Sequence, residues 1–90
     1  MQDNMQNAIV TGATQGIGKS IAIALVNTGC RVIAVGRSPD KLAALKDAAP
    51  EAGERLVCQA LDIKDGALFE RRLGEWISKW GRISYLVNAA

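Results

Sequence analysis

The loop Thr11-Gly12-Ala13-Thr14-Gln15-Gly16-Ile17-Gly18 constrains this chain more than any other segment. It follows the apolar run from Ala8 to Thr11 and precedes residues with helical periodicity. Gly12 permits a tight turn, Gly16 lets backbone approach a diphosphate, and Gly18 lets the helix pack close to the strand. The free N–H groups at the helix start would then face negative oxygens. Thr14, Gln15 and Ile17 lie within the same loop and count among the candidate contacts. The first two glycines are separated by three residues, where the commonest dinucleotide fingerprint has one. A P-loop fails as well. Gly18-Lys19-Ser20 fits the end of that motif, but its first glycine would have to stand where Ala13 does. A loose nucleoside triphosphate loop and a plain turn stay as alternatives.

The rest of the chain alternates between two periods. Ile17, Ile21, Ala24, Leu25 and Thr28 recur at threes and fours, so a helix is expected over 19–27, with Gly29 as its left-handed stop. The run from Arg31 to Val35 is continuous enough for a strand covered on both faces. Ser38-Pro39 starts a second helix, Ser38 as cap and Pro39 at the first position, where its missing N–H costs nothing. Leu42, Leu45 and Ala49 form its stripe, and Pro50 stops it before a loop through Gly53. A third strand is expected from Arg55 to Leu61. Asp65 caps a third helix whose face holds Phe69, Leu73, Trp76, Ile77 and Trp80. Gly74 inside that helix suggests close packing, Gly81 ends it, and Ile83 to Val87 form a fourth strand.

The order β-α-β-α-β-α-β implies right-handed crossovers and a parallel sheet. The fold class expected is α/β, a Rossmann-like doubly wound sheet with strand order 3-2-1-4. The first two helices should cover one face and the third the other. The fourth strand leaves an apolar outer edge, a liability that finished proteins cover. Residues 1–90 are therefore expected to be the N-terminal part of one dinucleotide-binding domain, truncated after the fourth strand, or one piece of a larger assembly.

Ligands in such sheets lie at the carboxyl ends of the strands. After the second strand, the place for an acidic residue that would accept from a ribose 2′-hydroxyl is held by Gly36, and Arg37 follows. A guanidinium there suits a 2′-phosphate, which favours NADP over NAD. Ser38 would add a hydroxyl contact while it caps its helix. Asp62, after the third strand, either accepts from an adenine amino group or caps the next turn. Asn88, after the fourth, either holds the loop, touches the nicotinamide ribose, or is an ordinary turn residue. Lys19 either adds positive field or is simply solvated.

Composition excludes other classes. Hydrophobic residues make up 49% and charged residues 22%, against disorder and coiled coil. The net charge of +2 comes from interspersed signs, so no nucleic-acid partner is expected. Histidine is absent, which removes the commonest metal ligand and general base, and no metal is expected. Cys30 and Cys58 read as buried small hydrophobes rather than a disulfide or metal pair. The start of the chain carries no leader pattern and no run is long enough to span a bilayer, so no membrane is expected and the cytoplasm is the default compartment.

Taken together, the glycine loop, Gly36-Arg37, Leu61-Asp62-Ile63, Gly81-Arg82-Ile83 and Leu86-Val87-Asn88-Ala89-Ala90 resemble the short-chain dehydrogenase/reductase family. The resemblance covers the whole chain and corresponds to the first third of a usual member. It implies Gly12, Gly16, Ile17 and Gly18 as a diphosphate-binding turn, Arg37 as the NADP-selecting residue, Asp62 and Ile63 as an adenine-contacting pair, and Asn88 and Ala89 as the start of an Asn-Asn-Ala-Gly loop. Ala89 departs from that pattern, as does Ser84, where members often carry Asp. The implied parent is a homo-oligomeric NADP-dependent oxidoreductase acting on a small carbonyl or alcohol substrate. Its Ser and Tyr-x-x-x-Lys would lie beyond residue 90. Tyr85 is followed four positions later by Ala89 rather than Lys, so no catalytic residue is assigned here and the chain alone is expected to be inactive. A non-catalytic NADP(H)-binding module, or a structural piece that completes a sheet with a complementary chain, is the alternative.

Overall fold

The computed structural model describes residues 6–89. The elements run β1 (Asn7–Thr11), α1 (Gly16–Asn27), β2 (Arg31–Gly36), α2 (Pro39–Ala48), a 3-10 helix (Pro50–Arg55), β3 (Leu56–Ala60), α3 (Gly66–Trp80) and β4 (Tyr85–Asn88). All pairings are parallel, as the alternation of elements implies, and the strand order is the expected β3-β2-β1-β4. Side chains of β1 and β2 alternate between two cores, as a strand's two-residue period dictates. Ala8, Val10, Val32 and Ala34 meet Ala22 and Val26 of α1 and Leu42 and Leu45 of α2. Ile9, Ile33 and Val35 meet Trp76 of α3, with Phe69, Leu73 and Trp80 packed around it.

Helix α1 begins at Gly16, three residues before the expected start, because the glycine loop itself forms the first helical turn. Its buried row is Gly18, Ala22 and Val26, one position round from Ile17, Ala24 and Thr28 of the expected stripe. Small residues allow the closest approach, so they take the sheet-facing side, while Ile21 and Leu25 flank them and Ile17 is 75% exposed. Gly29 ends the helix at φ +100, with its N–H on the Val26 carbonyl at 3.0 Å.

The Ser38 hydroxyl accepts from the Lys41 N–H at 3.3 Å, and Pro39 opens α2. Pro50 does stop α2, but it starts a 3-10 turn instead of the expected loop. Arg55 is not in β3. It donates to the Val26 carbonyl at 2.6 Å and to the Cys30 carbonyl at 3.3 Å, tying the end of α1 to this turn. Asp65 caps α3 by accepting from the Leu68 N–H at 3.2 Å.

Three expectations for the second half need correcting. Ile77 is 39% exposed, one position off the buried face of α3. Gly74 has open space where a Cβ would stand, so close packing does not explain it. Strand β4 starts at Tyr85 because Ile83 and Ser84 form the approach, the Ser84 N–H bonding the Asn7 carbonyl at 2.8 Å. Gly74→Ala is expected to stabilise the chain by about 1 kcal/mol, because alanine loses less entropy in a helix and meets nothing here. Urea unfolding followed by tryptophan fluorescence checks this, and a lowered midpoint would contradict it.

Cys30 and Cys58 are free thiols. Cys30 is buried, whereas Cys58 is only partly so, which corrects half of the expectation. Burial pushes the Cys58 thiol up, with nearby Lys46 opposing, so the neutral thiol is favoured. Among the described residues no helix is long and apolar enough to cross a membrane.

Candidate functional site

The carboxyl ends of the strands open onto a cleft of about 760 Å³, within the range of small-molecule sites. One wall is the loop between β1 and α1. Gly12 turns at φ +65 and Gly16 at φ +53, both left-handed. A Cβ on Gly16 would meet nothing within 4 Å, so the backbone there is bare on that side. A Cβ on Gly18 would stand 2.0 Å from the Gly12 carbonyl oxygen. Gly18 is thus the point where α1 crosses the turn, beneath the cleft rather than lining it.

The first turn of α1 ends on the cleft. Gln15 is its N-cap, with no side-chain capping bond, and the first turn holds no acidic residue. The leading N–H groups therefore carry the helix's partial positive charge toward the opening. The turn is tied to β2 by the Ala13 N–H on the Val35 carbonyl at 3.1 Å.

Across the cleft, Arg37 follows β2 and is exposed at the rim. Asp62 and Ile63 follow β3 on the same side. Asn88 is the last residue of β4, paired with Thr11, rather than a residue after that strand, and with Ala89 it closes the end of the cleft. Gly12, Thr14, Gln15, Gly16 and Ile17 line the opposite wall, so ten of the twelve expected residues share one cavity. Gly18 and Ser38 are the two outside the lining. The Ser38 oxygen caps α2, as expected, by accepting a hydrogen bond, which leaves its O–H able to donate.

Asp62 does cap the following turn, accepting from the Lys64 N–H at 3.0 Å, and still borders the cleft. A carboxylate has room for further donors. Asn88 is held from below: the Thr11 hydroxyl donates to its Oδ1 at 2.9 Å, and the Ala89 N–H bonds the Thr11 carbonyl at 3.2 Å. Thr11, 3% exposed, is a positioning residue that sequence reasoning missed. Its place as the last residue of β1 was the available signal. Lys64 was also missed. With Arg37 it puts two cations against one carboxylate, Asp62, in the lining. Lys19 is exposed and outside the lining. Tyr85 lies in β4, paired with Ala8 and 46% exposed.

Residues 6–90 match the short chain dehydrogenase family. The chain is 42% identical over 82 residues to the NADP-dependent 3-hydroxy acid dehydrogenase YdfG of Salmonella typhi, covering 91% of this chain and 32% of that protein. It therefore spans about a third of the length of the curated relatives it matches. A beta-ketoacyl-ACP reductase (FabG) from Bacteroides thetaiotaomicron superposes with a TM-score of 0.89 at 33% identity, over 97% of this chain and 41% of that one. A metagenomic short-chain oxidoreductase in complex with NADP gives a TM-score of 0.82 at 32% identity, over 90% of this chain and 37% of that one. With its turn, sheet order and sequence all in agreement, the chain belongs to the short-chain dehydrogenase family.

Proposed function

We propose that this chain is the dinucleotide-binding part of an NADP(H)-dependent oxidoreductase, and that the whole protein transfers hydride between a nicotinamide and a small carbonyl or alcohol substrate. The observation that carries it is the bare Gly16 backbone at the α1 N-terminus facing Arg37 across one cleft. The residues fit the group. Gly12 and Gly18 bring the loop's backbone together with no side chain between them, which leaves the N–H groups of Gly16 and Ile17 to donate to diphosphate oxygens. Arg37 pairs with a 2′-phosphate. Ser38 fixes the start of α2 beside it. Asp62 accepts from the adenine amino group while Ile63 covers the ring. Asn88, oriented by Thr11, and Ala89 border the nicotinamide ribose.

When bound, the nicotinamide supplies the hydride or takes it up. Residues 1–90 form part of a larger domain in this reading, and the rest of that domain supplies proton handling and substrate contacts. Two of the proteins it resembles are named for NADP. The parent is read as a homo-oligomer, and two free thiols suit a reducing compartment such as the cytoplasm. A second reading, a piece that completes its sheet with a complementary chain, is favoured by the outer edge of β4, where Tyr85 and Leu86 are 46% and 57% exposed. It is compatible with the first.

The test is titration of the ¹⁵N-labelled chain with NADPH. Amide signals of Gly16, Ile17 and Gly18 are expected to shift, and a Gly16→Val variant, β-branched at a left-handed position, is expected to bind neither NADPH nor NADH. Undisturbed loop amides in a folded sample would overturn the proposal.

A further inference from the structure

We infer that Thr14 sets the dinucleotide preference from within the glycine loop, because its methyl group fills the space that a side chain at the end of β2 would need. This rests on the proposed function and deepens it. Gly36 is buried, and a Cβ built on it would stand 2.7 Å from Thr14 Cγ2. The next neighbours, Leu42 Cδ2 and Thr14 Oγ1, are each at 3.6 Å, an ordinary contact. Gly36 is not among the left-handed glycines, so its backbone conformation suits any residue. Glycine is required there only by Thr14.

The obstruction is a side-chain methyl, not backbone, so its strength depends on how far Thr14 can turn. Threonine is β-branched, and its methyl retreats only by turning the whole group about one torsion or by moving the turn. The turn is held by the Ala13 N–H on Val35, and the strand end by the Leu61 N–H on the Gly36 carbonyl at 2.8 Å. An acidic residue after β2 is what accepts from a free ribose 2′-hydroxyl and would repel a 2′-phosphate. Thr14 excludes that residue and leaves Arg37 unopposed. It guards that selectivity from the turn after the neighbouring strand, against the residue that directly precedes Arg37.

The experiment crosses Gly36→Ala and Gly36→Asp with Thr14→Ala and reads two quantities. The first is thermal unfolding. Gly36→Ala is expected to lower Tm by about 5 °C with Thr14 present and by far less in the Thr14→Ala background. An equal drop in both backgrounds overturns the steric pairing. The second is paired Kd measurement for NADPH and NADH. In the Thr14→Ala background, adding Gly36→Asp is expected to cut the NADPH-over-NADH preference at least about tenfold, the scale of one charge-assisted hydrogen bond. A preference unchanged by that addition, or failure of the double variant to fold, overturns the assignment to Thr14. If the unsubstituted chain binds neither dinucleotide, the proposed function itself falls and the selectivity claim with it. The Tm cycle separates that outcome from a wrong packing argument.

Discussion

Gly18→Ala is expected to destabilise the chain by about 3 kcal/mol, the upper end for forcing extra atoms into packed structure. A Cβ at this position would lie 2.0 Å from the Gly12 carbonyl oxygen and 2.8 Å from its carbon. Both are backbone atoms, so no rotamer change relieves the contact. Relief requires α1 to lift from β1, which would pull Ala22 and Val26 out of the core they share with Ala8 and Val10. Stability of a small domain is of order 5–15 kcal/mol, so the loss takes a large share of it. Gly16→Ala makes the contrast. Its Cβ meets nothing, and its cost comes only from the left-handed φ of +53, about 1 kcal/mol. Denaturant unfolding followed by the fluorescence of Trp76 and Trp80 ranks the two. If Gly18→Ala unfolds at the midpoint of the unsubstituted chain, the crossing of α1 over the turn is not as tight as described.

Those two glycines show what a sequence carries. Their spacing announced a strand, a turn and a helix start, and the caps Ser38 and Asp65 announced where α2 and α3 begin, because such signals act over a few neighbouring residues. The parallel sheet followed from alternation alone. Phase was harder. The stripe of α1 was read on Ile17, Ile21, Ala24, Leu25 and Thr28, while the sheet received Gly18, Ala22 and Val26. Periodicity gives the pitch of a face, and which row turns inward depends on how near the opposing strand comes. Ile77 fell outside the buried row of α3 for the same reason. Contacts between distant segments were invisible. Nothing local in Thr11 points to Asn88, and nothing in Thr14 points to Gly36, since only the β1–β2 and β1–β4 pairings bring them together.

Arg37→Ala is expected to weaken NADPH binding by about 10- to 100-fold while leaving NADH within about threefold, since hydrogen bonds to charged groups are worth about 1.5–3 kcal/mol. Arg37 is exposed at the rim, so solvent and salt screen it and the lower end applies at high ionic strength. Arg37→Lys should recover only part of the preference, because an ammonium keeps the charge but loses the planar fork that grips two phosphate oxygens. Net charge alone is a rival explanation, and the cleft contains its own control. Lys64 lines the same cavity beyond β3. Lys64→Ala removes the same unit charge from a different place. If the NADPH preference depends on where the guanidinium stands, Arg37→Ala erodes it and Lys64→Ala does not. Equal erosion by both variants would mean that the cleft attracts phosphate by its overall field, and an equal loss of NADPH and NADH in Arg37→Ala would remove the 2′-phosphate assignment altogether.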